Sequence, residues 1–262
     1  MPGRMRPVLE SLLFPLVTLA VAIAIWELVI VVFDLPAYVL PHPGEVFERI
    51  GTDRELLWEN AVATGKIAAL ALVISAVGGV LLGLVIGWYR TMRQLFMPLL
   101  VALQSLPKIA LAPIFIAWLG FGTLPKLLIA VLITFFPITL AVIVGVESIP
   151  AKVVLLSRST GLAGTAFVRK ILLPSIAPYA VASLTIVATL AVVGAIVAEF
   201  IGSQDGLGNV LLLASGNRDV PLVFAAIIVT ALLGIVFYAA ATLAGRLLTL
   251  RLGASYMRGS SG

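Results

Sequence analysis

LPKLLIAVLITFFPITLAVIVGVE, Leu124–Glu147, carries one charge near each end, Lys126 and Glu147, and none in the 20 residues between them. About 20 apolar residues, at roughly 1.5 Å rise each, cover the ~30 Å hydrocarbon core of a bilayer, so this stretch reads as a membrane-crossing helix. Five further stretches of the same kind lie outward from it, at 12–33, 65–88, 95–118, 178–201 and 222–248. All six are predicted as helices. Lipid gives a backbone N–H or C=O no partner outside its own segment, and no stretch shows the ten-residue alternation of a barrel strand. The expected fold class is therefore all-α, a polytopic membrane protein with about six transmembrane helices. Composition agrees: 61% of the 262 residues are hydrophobic and 11% are charged, outside the range of a soluble domain of this size.

The basic residues choose the orientation. Arg4 and Arg6 precede the first span, Arg90 and Arg93 join the second to the third, Lys152, Arg158, Arg169 and Lys170 lie between the fourth and fifth, and Arg246, Arg251 and Arg258 follow the sixth. Those segments share one face, and the opposite loops hold most of the acids: Asp34, Glu45, Glu48, Asp53, Glu55, Glu59, Asp205 and Asp219. By the positive-inside rule both termini are cytoplasmic. No small-residue cleavage site follows the first span, so residues 1–11 read as a retained cytoplasmic N-terminus, 12–258 as a single transmembrane domain and 259–262 as a flexible tail. The net charge of +5 sits in the loops, which gives no reason to expect a nucleic-acid partner. Cysteine is absent and His42 is the only histidine, so neither a thiolate nor a clustered imidazole metal site is expected. No G-x-x-x-x-G-K-[ST] loop occurs, so the chain is not expected to hydrolyse ATP, and no catalytic residue or cofactor is assigned to it.

Two connections are longer than joining requires. Residues 34–64, on the outer face, contain Pro43 as a helix start, with Val46, Phe47 and Ile50 on one face beside Glu45, Glu48 and Arg49. Residues 148–177, on the cytoplasmic face, begin SIPAKVVLLSRSTGLAGTAFVRKILLP. Ser148 is expected to cap a short helix running to Thr160, Gly161 to stop it, Gly164–Thr165 to start a second, and Pro174 to end or bend that one. Val153, Val154, Leu155, Leu156 and Leu162 are too apolar for a solvated loop, while Lys152, Arg158, Arg169 and Lys170 stay wet. Such a surface is usually covered by a partner or by lipid.

Gly161, then nine residues, then Ile171, one residue, Leu173 and Pro174 reproduce Gly-x9-Ile-x-Leu-Pro, one half of the cytoplasmic loop motif of binding-protein-dependent ABC transporter permeases. The chain resembles that family, in which this loop is a coupling helix that docks on an ATPase subunit. Leu155, Leu156 and Ser157 stand where the family carries Glu-Ala-Ala, so only the small Ser157 fits and the acidic contact is missing. Four other stretches, Trp26–Phe47, Leu103–Gly122, Ala198–Leu211 and Pro221–Val229, resemble the branch for nitrate, sulfonates, taurine, riboflavin and thiamin-pyrimidine precursors. The resemblance implies a type I importer permease fold in the bacterial inner membrane, working as a homodimer. It also implies two ATP-binding subunits, which hold ATP and Mg, and an extracytoplasmic solute-binding protein. The solute would be a small organic anion or a vitamin precursor. The coupling contacts would come from Leu155, Leu156, Ser157, Arg158, Gly161, Ile171, Leu173 and Pro174.

Within the spans, Lys108 lies between Pro107 and Pro113, prolines close enough to interrupt a helix. Interrupted backbone at membrane depth has to face protein or a water-filled path. Two readings of Lys108 stay open: a pathway or gate residue, or a side chain that snorkels to the interface and anchors the kink. Glu199 divides the same way between path and interfacial hydrogen bonding, and Glu27 reads as interfacial. Gly202, Gly206 and Gly208 read as turn glycines at the outer mouth. Two other classes remain as alternatives, an intramembrane enzyme, which requires clustered His, Asp or Glu at one depth, and an ion-coupled carrier, which requires broken helices in two related halves.

Overall fold

The computed structural model describes residues 6–258, with the side chains of 6–12, 15 and 250–258 left aside. The expectations for Arg4 and for the 259–262 tail fall outside those residues. Eleven α-helices follow in order among them: α1 Arg6–Phe33, α2 Pro43–Thr52, α3 Arg54–Trp88, α4 Arg90–Ser105, α5 Ala112–Leu119, α6 Thr123–Glu147, α7 Ala151–Ser159, α8 Gly164–Phe167, α9 Leu173–Glu199, α10 Leu207–Gly216 and α11 Val220–Arg258. Five helical segments are long and apolar enough to cross a membrane. A sixth is obtained if α4 is joined through the 3₁₀ turn Lys108–Leu111 to α5, across a bend of 83°. The chain is all-helical and multi-pass, as expected.

The described chain divides into two compact units. One is the chain up to Trp58 together with Val210–Val229; the other is Glu59–Asn209 with the chain from Thr230 onward. In the first, Trp26 and Phe224 bring their ring centroids within 5.4 Å, and Glu27 accepts from His42 Nδ1 at 3.0 Å. Arg49 donates to Asp219 at 2.6 Å, and this hydrogen bond is the main reason its guanidinium is held above its ordinary pKa.

The second unit is organised around α6, the helix of the opening stretch. Ala130 packs with Ile67, Ala68 and Ala71 of α3 and with Ala191, Val192 and Ala195 of α9. Phe136 and Ile143 meet Ile86 and Leu100, and Ile129 meets Ala112 and Ala198. Small residues let these helices approach closely, where dispersion and complementary shape replace the hydrophobic drive that lipid removes. Gly79, Gly83 and Gly87 recur every four residues on α3 and face α6; a Cβ on Gly83 would lie 2.8 Å from both the Thr139 carbonyl oxygen and Val142 Cβ.

Several boundaries differ from expectation. The outer loop ends at Asp53 rather than 64, because α3 begins at Arg54 and buries Leu57, Ala61 and Thr64 on one helical face. Ser148 does not cap α7. It follows α6, donating to the Gly145 carbonyl at 2.7 Å, and Pro150 precedes the first turn of α7. Pro107 marks the break after α4, whereas Pro113 lies in the first turn of α5, where its missing N–H costs nothing. Pro174 does not end its helix, since residues 164–199 run on as one helical segment. A π turn at Val168–Leu172, with Leu173 N–H donating to the Val168 carbonyl, shifts the hydrogen-bond register just before the proline and absorbs its missing donor. Gly208 is not a turn glycine but lies in the first turn of α10.

Candidate functional site

Two places carry the residues that the sequence singles out. The first is the loop between α6 and α9. Helix α7 closes on Gly161, whose φ of +70° is favourable only for glycine. The Gly161 N–H donates to the Arg158 carbonyl at 3.2 Å, and the Leu162 N–H reaches back to Ser157 at 2.8 Å. This pair of bonds is the Schellman arrangement, which satisfies carbonyls that a helix end otherwise leaves free. Ser157 is buried, its hydroxyl turned onto the Val154 carbonyl at 2.8 Å. Leu155 and Leu156 point the other way and are each 64% exposed, with Arg158 exposed beside them. Ile171 and Leu173 are half-buried and pack against the core of Ile138, Val142, Phe167 and Ile176, so they seat the loop on the bundle. The eight loop residues therefore split by environment: Leu155, Leu156 and Arg158 outward, Ser157 inward, and Gly161, Ile171, Leu173 and Pro174 in the backbone path between.

The second place is at the far end of the same helices. Glu199, the last residue of α9, is 1% exposed. Its Oε2 accepts from Thr64 Oγ1 at 2.9 Å and from the Gly208 N–H at 2.8 Å, while Thr64 Oγ1 accepts from the Leu207 N–H at 2.8 Å. Asn60 Oδ1 accepts from the Gly206 N–H at 2.7 Å. Gly206, Leu207 and Gly208 supply N–H groups that helix geometry leaves unpaired at the start of α10. A cap that usually comes from the helix's own sequence is provided here by two residues of α3 and one of α9. Both glycines are required. Gly206 has φ +98° and a Cβ there would overlap the Glu199 carboxyl, while a Cβ on Gly208 would lie 2.6 Å from the Ile196 carbonyl.

Beside this cap, Lys126, 8% exposed, donates to Asp205 Oδ1 at 2.5 Å and to Ser203 Oγ at 2.9 Å. The Lys126 hydrogen bond is the largest reason the Asp205 carboxyl lies below its ordinary pKa; burial opposes it next, and the Ser203 hydrogen bond adds a lesser lowering. Lys126, Ser203 and Asp205 line a polar cavity of about 490 Å³ with Phe121, Gly122, Thr123, Gly202 and Gln204. Lys126 and Thr64 escaped sequence reading. Lys126 stands at the end of an apolar stretch and Thr64 in no motif; only the groups they meet 77 to 143 positions away distinguish them.

Lys108 is half-buried at the α4 break. Its ammonium donates to the Gln104 carbonyl at 3.0 Å, one of those freed by the break, and lies 5.9 Å from the Phe136 ring centroid. Lys108 and Glu199 are thus not brought together: one fills the end of a broken helix, and the other caps α10.

Residues 79–249 match the family described as "Binding-protein-dependent transport system inner membrane component". A probable ABC transporter permease protein of Haemophilus influenzae is 30% identical over 227 residues, covering 87% of this chain and 93% of its own length. The formylaminopyrimidine transport permease protein of Halalkalibacterium halodurans is 36% identical over 217 residues, covering 82% and 86%. A riboflavin transport system permease protein of Chloroflexus aurantiacus is 32% identical over 234 residues, covering 88% and 87%. Among solved structures, an inward-facing MetNI methionine ABC transporter matches 76% of this chain and 94% of its own, with a TM-score of 0.55 and 19% identity, and so shares the fold.

Proposed function

Because this chain belongs to the family of binding-protein-dependent transport system inner membrane components, we propose that it is the permease subunit of an ATP-driven importer, coupled to a separate ATPase through residues 148–177. The observation that carries the coupling role is the pair Leu155 and Leu156, each 64% exposed on a helix whose end is locked by Gly161. Two neighbouring leucines outside the spans, among basic residues, are best covered by another protein. Arg158 supplies a polar contact on the same surface. Ile171, Leu173 and Pro174 join that surface to α9, so a push on α7 is delivered to a spanning helix.

The rest of the assembly follows from the family and the charge pattern. A second copy of the chain completes the pathway, two ATP-binding subunits hold ATP and Mg, and an extracytoplasmic binding protein delivers solute. The chain lies in the bacterial inner membrane with both termini cytoplasmic, and 12–258 act as one transmembrane domain. The relatives named for formylaminopyrimidine, riboflavin and aliphatic sulfonates support a small organic anion or a vitamin precursor as solute. Transport proceeds by alternating access, with the Pro107–Lys108–Pro113 break as the candidate pathway or gate element, while Glu199, buried and hydrogen-bonded to Thr64 and Gly208, follows its other reading as a structural residue. The states are selected by what binds each of them more tightly, nucleotide on one side and loaded binding protein on the other.

The test is co-purification with a candidate ATPase subunit expressed together with this chain. The wild-type pair is expected to survive detergent. Leu155→Asp with Leu156→Asp, which changes only exposed positions, is expected to lose the ATPase while the permease elutes normally; Gly161→Pro, which removes the N–H given to Arg158, is expected to do the same. An ATPase that binds the double aspartate variant as it binds wild type would overturn the coupling assignment.

A further inference from the structure

The opposite side of α7 from its exposed leucines borders a cavity of about 610 Å³, within the size range of small-molecule sites. Trp88, Val154, Leu162, Phe167 and Val168 are the larger apolar residues of its lining, and Trp88 meets Phe167 edge-on with ring centroids 5.4 Å apart. Its charged lining residues are Arg158 and Arg169, both exposed. Among the described residues no acidic side chain lines it, and the carboxylate of Glu147, the last residue of α6, is paired with Arg93 at 2.8 Å. An apolar chamber with two guanidinium groups and no counter-ion has the chemistry of an amphiphile with an anionic head.

We infer that this cavity binds an anionic phospholipid of the adjoining leaflet, its acyl chain against Trp88, Phe167 and Val168 and its phosphate on Arg158 and Arg169. Guanidinium forks match phosphate oxygens in pairs, and basic pockets at the cytoplasmic ends of spanning helices suit such head groups. Trp88 ends α3, a position where amphipathic rings mark the membrane interface. The helical repeat turns this site away from the exposed leucines, with Arg158 at the edge that the two surfaces share. Val154, Ser157 and Arg158 recur at i, i+3 and i+4 toward the cavity, whereas Leu155 and Leu156 are rotated from Val154 by about 100° and 200°. A soluble anion would leave the aromatic wall wet. The inference goes beyond the importer assignment and uses from it only that this end of the bundle adjoins the membrane surface.

The test uses the full-length chain in nanodiscs with Trp26, Trp58 and Trp118 replaced by Phe, leaving Trp88 as the reporter. Brominated phosphatidylglycerol diluted in phosphatidylcholine is expected to quench Trp88 at lower mole fraction than brominated phosphatidylcholine diluted in the same way. Arg169→Gln is expected to weaken that preference about fivefold, the worth of one basic residue near an anionic surface. Ala163→Phe, which adds bulk at the rim, is expected to reduce quenching by both lipids. Equal quenching by the two head groups would overturn the inference. So would complete protection of Trp88 on adding the ATPase at unchanged lipid composition, since the cavity would then belong to the protein interface. Failure of the ATPase to bind leaves the lipid readout intact, so the two assignments fail separately.

Discussion

Replacing Thr64 by valine removes one oxygen from a fully buried site and leaves the shape almost unchanged. That oxygen accepts from the Leu207 N–H at 2.8 Å and gives its own proton to Glu199 at 2.9 Å. In the valine variant the Leu207 N–H has no acceptor and Glu199 keeps only the Gly208 N–H. A buried polar group left unmet costs about 1–3 kcal/mol. The two losses share Glu199 and are not independent, so the expected destabilisation is roughly 2–4 kcal/mol. Thr64→Ser keeps both hydrogen bonds and loses one buried methyl, about 1 kcal/mol. The variants are compared by thermal unfolding in one detergent and by protease cleavage within residues 202–206. Valine is expected to unfold at lower temperature than serine and to open the segment before global unfolding. If valine equals or exceeds serine in both assays, the cap on α10 does not hold that segment.

Two further outcomes follow. Gly83→Val drives a side chain into the Thr139 carbonyl and Val142, where backbone cannot yield, and is expected to destabilise by at least the roughly 1–3 kcal/mol of overpacking; Gly51→Ala in α2, with open space around its Cβ, is expected to be neutral or slightly stabilising, and thermal unfolding compares the two. Asp205 has a depressed folded-state pKa, so its contribution is present above the ordinary carboxylate value near 3.8 and is lost as pH falls through the lower folded value; cleavage within 202–206 is expected to rise at acid pH in wild type, and a rise of the same size in Asp205→Asn would show that another group is responsible.

The sequence by itself determined what lipid demands. Twenty uncharged residues between Lys126 and Glu147 can do little but cross a bilayer as a helix, and the placing of arginines and lysines follows from the same solvent. Gly161 was legible for a local reason, since a left-handed residue after a helix is dictated by the neighbouring few residues. The loop motif was legible too, because Gly161, Ile171, Leu173 and Pro174 lie within one short stretch. Tertiary structure alone decided the rest. Pro174 looked like a helix end because proline rules are local, yet the folded chain continues as a helix through it after a π turn at Val168–Leu172. Thr64, Asn60 and Glu199 became a cap only when α3 and α9 met the start of α10, and Lys126 became a buried partner only when Ser203 and Asp205 folded onto it. Periodicity reports which side of a helix avoids a given solvent, but a hydrogen bond between residues over a hundred positions apart leaves no trace in either residue's surroundings in the chain.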